Sequence, residues 1–178
     1  MRARGFSLIE LMVAMSILVI LMLLAMPVYT EFVANTRIRN TAESMLNGVR
    51  LAQLEAVRRN TQVQFTRTAN GWEVRDATTD ELLHAESIFE TSEAKGPSVD
   101  TGAGTEVTFN GLGRMLPTNP PGGTVPITRI KVEPGSSAGT RTLGVSIPLG
   151  GGSAKLCDPD SKFTYSGSTD PMACPYPW

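Results

Sequence analysis

Histidine is almost missing from this chain of 178 residues, and cysteine nearly so: His84 stands alone, and Cys157 and Cys174 are the only thiols. A zinc site draws on about four His, Cys or carboxylate ligands, and a Ser-His-Asp triad would have to be built around His84 itself. His84 falls in Leu82-Leu83-His84 on an expected strand, where a lone histidine reads as a structural or surface residue rather than a base. A surplus of charge is missing too. Sixteen Lys and Arg face seventeen Asp and Glu, a net charge of −1, whereas a polybasic nucleic-acid binder needs an excess of cations to displace counterions from phosphates. Asp158-Pro159-Asp160-Ser161 lacks the ligand spacing of an EF-hand loop, and Gly150-Gly151-Gly152 is followed by no Lys-Ser/Thr pair. The residues therefore offer no catalytic, cofactor or metal constellation. Seventeen glycines and twelve prolines point to a turn-rich remainder, and the length allows one domain with an appendage.

What the chain does have is a long apolar run. Residues 11–30 carry no charge, and as a helix they are long enough to cross the ~30 Å hydrocarbon core of a bilayer. A cleavable secretory signal would be shorter and end in small residues at a cut site; this run instead continues into a helix-period sequence and is retained. Arg2 and Arg4 precede it, with no acid before Glu10. The positive-inside rule then leaves the amino terminus cytoplasmic and everything past Thr30 outside. Glu10 is the anomaly, because a carboxylate at the centre of an apolar helix costs roughly 2.5–3.5 kcal/mol in lipid and so marks a function and a partner.

The string Arg4-Gly5-Phe6-Ser7-Leu8-Ile9-Glu10-Leu11, followed by an unbroken apolar run with Pro27, resembles the leader of type IV pilins and type II secretion pseudopilins. The resemblance implies that a prepilin peptidase removes residues 1–5, cutting after Gly5, and methylates the new amino terminus on Phe6. It also implies that Glu10 neutralises the terminal amine of a neighbouring subunit during assembly. Opposite unit charges at ~4 Å are worth about 4 kcal/mol at an effective dielectric of 20, enough to offset burial once the partner arrives. Pro27 removes a backbone donor, so a kink or melted turn is expected there. Cleavage removes two arginines and leaves a net charge of −3.

Past Pro27, Ile38, Ala42, Met45, Val49, Ala52 and Ala56 recur in steps of three and four, the stripe of an amphipathic helix that packs on a sheet. Asn60, after Arg58 and Arg59, is its expected stop. The period then switches to two: Val63 and Phe65, a turn at Asn70-Gly71, then Trp72 and Val74 predict a hairpin. Further strands are expected within 82–84, 106–109, 125–132, 142–147 and 154–157, giving one mainly antiparallel sheet of about four to seven strands. The step from Ile127 to Ile130 breaks the alternation and requires a bulge or a bend. Residues 91–105 and 115–124 read as loops, and 134–140 as a hairpin tip.

The run Phe109-Asn110-Gly111-Leu112-Gly113-Arg114 and the helix end from Arg50 to Asn60 resemble motifs of the GspH/FimT branch of these pseudopilins. The expected fold is therefore α+β, a long amino-terminal helix on an antiparallel sheet, which the residues support independently. Its parts are a leader (1–5), a membrane or filament-core helix (6–30), an amphipathic helix (31–60) and a β-rich head (61–178). Cys157 and Cys174 lie on the external side, where disulfides persist. Pairing them closes a loop for roughly 3 kcal/mol by chain entropy.

Three readings follow. The first is a minor pilin of the FimU type, a structural or assembly-priming subunit held in the bacterial inner membrane with its head periplasmic and later built into a surface filament or its tip. Its implied partners are other pilins, a tip adhesin and the prepilin peptidase, with no small-molecule substrate. The second is a DNA-binding pilin. Some FimT-branch members carry a basic Gly-Arg-x-Arg stretch, which here corresponds to Gly152-Ser153-Ala154-Lys155, so Ser153 and Lys155 stand where arginines would grip phosphate bidentately. From Thr61 onward nine basic residues face thirteen acidic ones, a net −4 that argues against attraction to DNA. The third is a GspH-like subunit of a periplasmic secretion pseudopilus.

Overall fold

In the computed structural model one helix organises every other element. Helix α1 runs Leu8–Arg59 over 52 residues, so the apolar run and the amphipathic stripe form one rod. The structure describes residues 7–88, 96–135, 139–149, 151–159 and 172–175. The expected cleavage and methylation residues, Gly5 and Phe6, lie outside them, as does most of the segment between the cysteines. Asn60 ends α1 in the left-handed conformation, φ 51° and ψ 40°. The N–H groups of Asn60 and Thr61 donate to the carbonyls of Val57 and Ala56 at 3.3 Å each, which satisfies carbonyls that the end of a helix orphans. The break expected at Pro27 does not occur: helix continues on both sides of it, and the Thr30 hydroxyl donates to the Pro27 carbonyl at 2.9 Å. A proline deletes a single i to i−4 bond, and the bonds on either side of that gap remain.

Eight strands follow: β1 (Val63–Arg67), β2 (Gly71–Asp76), β3 (Leu82–Ser87), β4 (Ser98–Asp100), β5 (Glu106–Phe109), β6 (Arg129–Glu133), β7 (Leu143–Ser146) and β8 (Lys155–Cys157). They form two four-stranded antiparallel sheets, in the orders β3-β2-β1-β5 and β4-β6-β7-β8, where a single sheet was expected. The division falls where the alternation breaks. The Ile127 N–H donates to the Glu106 carbonyl at 2.7 Å, beside the first sheet, while the Thr128 carbonyl accepts from Ile147 N–H at 2.9 Å, beside the second. The chain thus bends from one sheet to the other at Thr128, and the expected strand 125–132 is shortened to β6. Strand β4 lies inside the stretch expected as a loop; three residues long, it is too short to show an alternation.

The first hairpin turns one residue earlier than Asn70-Gly71 suggests. The Thr68 N–H donates to the Gly71 carbonyl at 2.9 Å, and Gly71 already belongs to β2. Its glycine serves a close approach instead: a Cβ there would lie 1.9 Å from the Glu86 carbonyl oxygen of β3.

The core forms between α1 and both sheets. Ile38, Ala42, Met45, Val49, Ala52 and Ala56 are all fully buried, as the stripe predicts, against Val63, Phe65, Val74 and Val107 of the first sheet and Ile130, Val132 and Val145 of the second. Gly48 brings the first sheet closer still. A Cβ at Gly48 would fall 2.7 Å from Cδ2 of Trp72 and 2.8 Å from Cε2 of Phe65. Trp72 is locked in place by its Nε1–H, which donates to the Ser44 hydroxyl at 3.0 Å. At the far edge, Cys157 and Cys174 form the expected disulfide. Asp158 N–H donates to the Met172 carbonyl at 2.6 Å beside it, so the carboxyl-terminal segment is stitched to the end of β8.

Gly48→Ala will lower stability by about 1 kcal/mol, because overpacking of two core rings costs about 1–3 kcal/mol and exceeds the gain in helix propensity of up to about 1 kcal/mol. Thermal unfolding of the detergent-solubilised chain checks this; a raised melting temperature would show that the rings can yield.

Candidate functional site

The amino-terminal half of α1 touches nothing in its own chain. From Leu8, 78% exposed, to Phe32, 68% exposed, every large apolar side chain points into open space. Each would gain about 1.5–3 kcal/mol on full burial, so this surface requires lipid or neighbouring helices. Its hydroxyls are already hidden: Ser16 Oγ donates to the Met12 carbonyl at 2.8 Å and Thr30 Oγ1 to that of Pro27. Such bonds let a polar side chain sit in an apolar medium without an outside partner. The helix is long and apolar enough to cross a membrane. Glu10 lies on this uncovered stretch, exposed, one turn from its start, and makes no ion pair among the described residues.

The head is fastened to the other half at two levels. At the lower one, Thr140 and Arg141, between β6 and β7, donate their backbone N–H groups to Asn35 Oδ1 at 3.1 and 3.3 Å, and the Thr140 hydroxyl donates to Glu31 Oε1 at 2.9 Å. The head therefore grips the helix one residue after the uncharged stretch ends at Thr30. At the upper level the two runs that carried the branch resemblance meet. Gln53 Nε2 donates to the Gly113 carbonyl at 2.8 Å, and a Cβ at Gly111 would lie 2.5 Å from Asn60 Oδ1. Asn110 Oδ1 accepts the N–H groups of Leu112 and Arg114 at 3.0 Å each, which closes the turn on itself. Spacing along the chain gave no sign of this pairing, because the partners are some sixty residues apart.

Arg50 adds a third tie, donating through Nε and Nη2 to the Ala154 carbonyl at 3.1 and 2.9 Å. Ala154 is buried, while Ser153 and Lys155 on either side of it are exposed. The pleat thus brings Ser153 and Lys155 to one outward face at the edge strand β8, and their neighbour's backbone is already occupied in holding the helix.

Glu55 is the one nearly buried carboxylate of the helix, its side chain 9% exposed. Oε2 accepts from Arg58 Nη2 at 2.7 Å and Arg59 Nε at 3.2 Å, Arg59 Nη1 continues to Glu81 Oε2 at 3.3 Å, and His84 Nε2 stands 3.8 Å from Oε1. Burial alone would raise the Glu55 pKa, but the hydrogen bonds and charges of Arg58 and Arg59 outweigh it and hold the carboxyl below its ordinary value. His84, half-exposed on β3, completes this cluster between the helix end and the sheet edge. Its sequence signal was an acid three and four residues ahead of paired arginines. Among the described residues, no cluster of three or more His, Cys, Asp or Glu is placed to hold a metal ion.

Against known families, residues 41–165 match the model of type II transport protein GspH, and residues 1–26 match the prokaryotic N-terminal methylation motif. No curated protein and no solved structure matches.

With its pKa depressed in the fold, Glu55 stabilises above the ordinary carboxylate range and ceases to do so as pH falls through its folded-state pKa. Glu55→Gln will cost about 1 kcal/mol at neutral pH, the arginines being partly solvated. Urea unfolding of both forms should show the gap closing on acidification to about pH 3. A gap that is independent of pH would mean that the arginines do not act through the carboxylate.

Proposed function

The chain belongs to the GspH family of type IV pilin-like pseudopilins, and from that premise we propose that it is a minor pilin, a structural and assembly-priming subunit of a type IV pilus. The observation that carries this reading is the division of α1: one half locked into the head, the other, Leu8 to Phe32, uncovered on all sides. A subunit built in this way waits in the inner membrane, where lipid covers that half. It enters a filament when helices of neighbouring subunits replace the lipid. Cutting after Gly5 frees the amine of Phe6, which is then methylated. The amine of one subunit pairs with Glu10 of another, so a carboxylate that is costly in lipid becomes favourable once partners surround it. Partners are other pilins through the helix, with a tip adhesin and the prepilin peptidase in addition.

A second reading places the same subunit in the periplasmic pseudopilus of a type II secretion system, and it is favoured by the matching family model, which describes a type II transport protein. Both readings use the same residues of α1 and differ in the machine.

The expected mature chain, read by intact mass in the native host, lacks residues 1–5 and carries one methyl group on Phe6. Glu10→Gln should still be cut and remain in the membrane fraction, yet be absent from assembled filaments. An uncut chain, or incorporation of Glu10→Gln at the wild-type level, overturns the assembly role. Recovery in fibres sheared from the cell surface assigns the pilus; loss of protein secretion on deletion, with no sheared fibre, assigns the pseudopilus.

A further inference from the structure

Leu112 has no role in its own head. It is 79% exposed at the tip of the turn after β5, between Gly111 and Gly113, neither of which has a side chain to shield it. Yet the turn is among the most firmly held loops of the molecule. Asn110 binds its backbone at two points, the Gly113 N–H donates to the Asn110 carbonyl at 2.8 Å, and Gln53 clamps it to α1. Ordering a loop in advance lowers the cost of using it in an interface, and here the ordering serves to present one leucine. The apolar surface continues from it. The position of a Gly113 Cβ lies 3.0 Å from Cγ2 of Val57, and Val57 and Leu54, three residues apart on the same helix face, are 52% and 66% exposed.

At the opposite end of the head lies a groove of about 660 Å³ between α1, β7, β8 and the disulfide-linked segment. Phe32, Leu143, Leu156 and Met172 form its apolar walls, with Asn35 and Arg39 on the helix side. Along α1 the knob sits at Gln53 and Val57 and the groove at about Asn35, some twenty residues apart, or roughly 30 Å at 1.5 Å per residue.

We propose that this knob and this groove are the two halves of one head-to-tail contact: Leu112 of one copy of the chain, backed by Val57 and Leu54, seats in the groove of a second copy displaced along the helix axis by roughly 30 Å. The occupant is argued from the chain's own surface, since an exposed apolar knob and an apolar groove lie at opposite ends of one rod. Two different patches that meet in this way make a heterologous contact, which extends into an open filament unless a rotation closes it. A knob meeting a knob would stop at a dimer. The inference rests on the filament reading above and adds to it the surfaces through which the heads join.

The test uses the full chain in its native host with Leu112→Cys, Thr36→Cys and the double variant, treated with a short bismaleimide. Thr36 is exposed at the groove. The double variant should give a ladder of dimers, trimers and higher species, the two single variants expressed together only dimers, and Leu112→Cys alone none. Leu112→Glu should lower incorporation into filaments by at least about tenfold, with leader removal and membrane insertion unchanged. Leader removal and insertion are scored separately in every variant, so a failure there counts against the filament reading and not against this contact. With those steps intact, no cross-link, a dimer from Leu112→Cys alone, a cross-link to a different protein, or normal incorporation of Leu112→Glu each overturns the proposal.

Discussion

One helix has to satisfy two solvents, and the rest of the structure depends on how it does so. Half of α1 is apolar around its whole circumference and half along one stripe only. A head can cover a stripe, but it cannot cover a rod on all sides without enclosing it. The head therefore begins its grip at Glu31 and Asn35, where the first polar anchors become available, and leaves everything before them to lipid or to other subunits. The cost of exposing the apolar half is what ties this chain to a membrane or a filament.

The two-sheet head follows from the same stripe. Both sheets pack on α1, with β1, β2 and β5 on one flank and β6, β7 and β8 on the other, so a rod of small cross-section is wrapped by two narrow surfaces rather than one wide one. Gly48 and the alanines of the stripe set the distance on the first flank, where Phe65 and Trp72 occupy the space their missing side chains leave. On the second flank the ties are polar and fewer, chiefly Arg50 to the Ala154 carbonyl and Asn35 to the backbone of Thr140 and Arg141. Side-chain bonds to backbone carbonyls and amides hold the strands wherever they lie along the helix. This arrangement tolerates the short strands of the second sheet, where β4 and β8 have three residues each.

Polar groups at the helix end act together in a similar way. Glu55 is kept ionised by two arginines of its own helix, and through Arg59 it reaches Glu81, beside the edge strand that carries His84. The turn at Leu112 docks against the same end of the helix through Gln53 and Asn60. A rigid distal end and a grooved proximal end give the head a polarity along the axis, which is the property a repeating stack requires.

Periodicity and composition along the chain determined the helix, its stop at Asn60, its buried stripe, most strands, the disulfide and the uncovered apolar half, because each is a local pattern or depends on the compartment alone. Only the tertiary structure decided that Pro27 leaves the helix unbroken, that Gly71 makes room for a neighbouring strand, and that the chain bends at Thr128 to divide one sheet into two. It alone brought Gln53 to Gly113, and Ser153 and Lys155 to one face. The physical reason is common to all of these: they are contacts between residues far apart in the chain, or depend on how closely two surfaces approach. A one-dimensional pattern records which face of an element is apolar and leaves open what that face will meet.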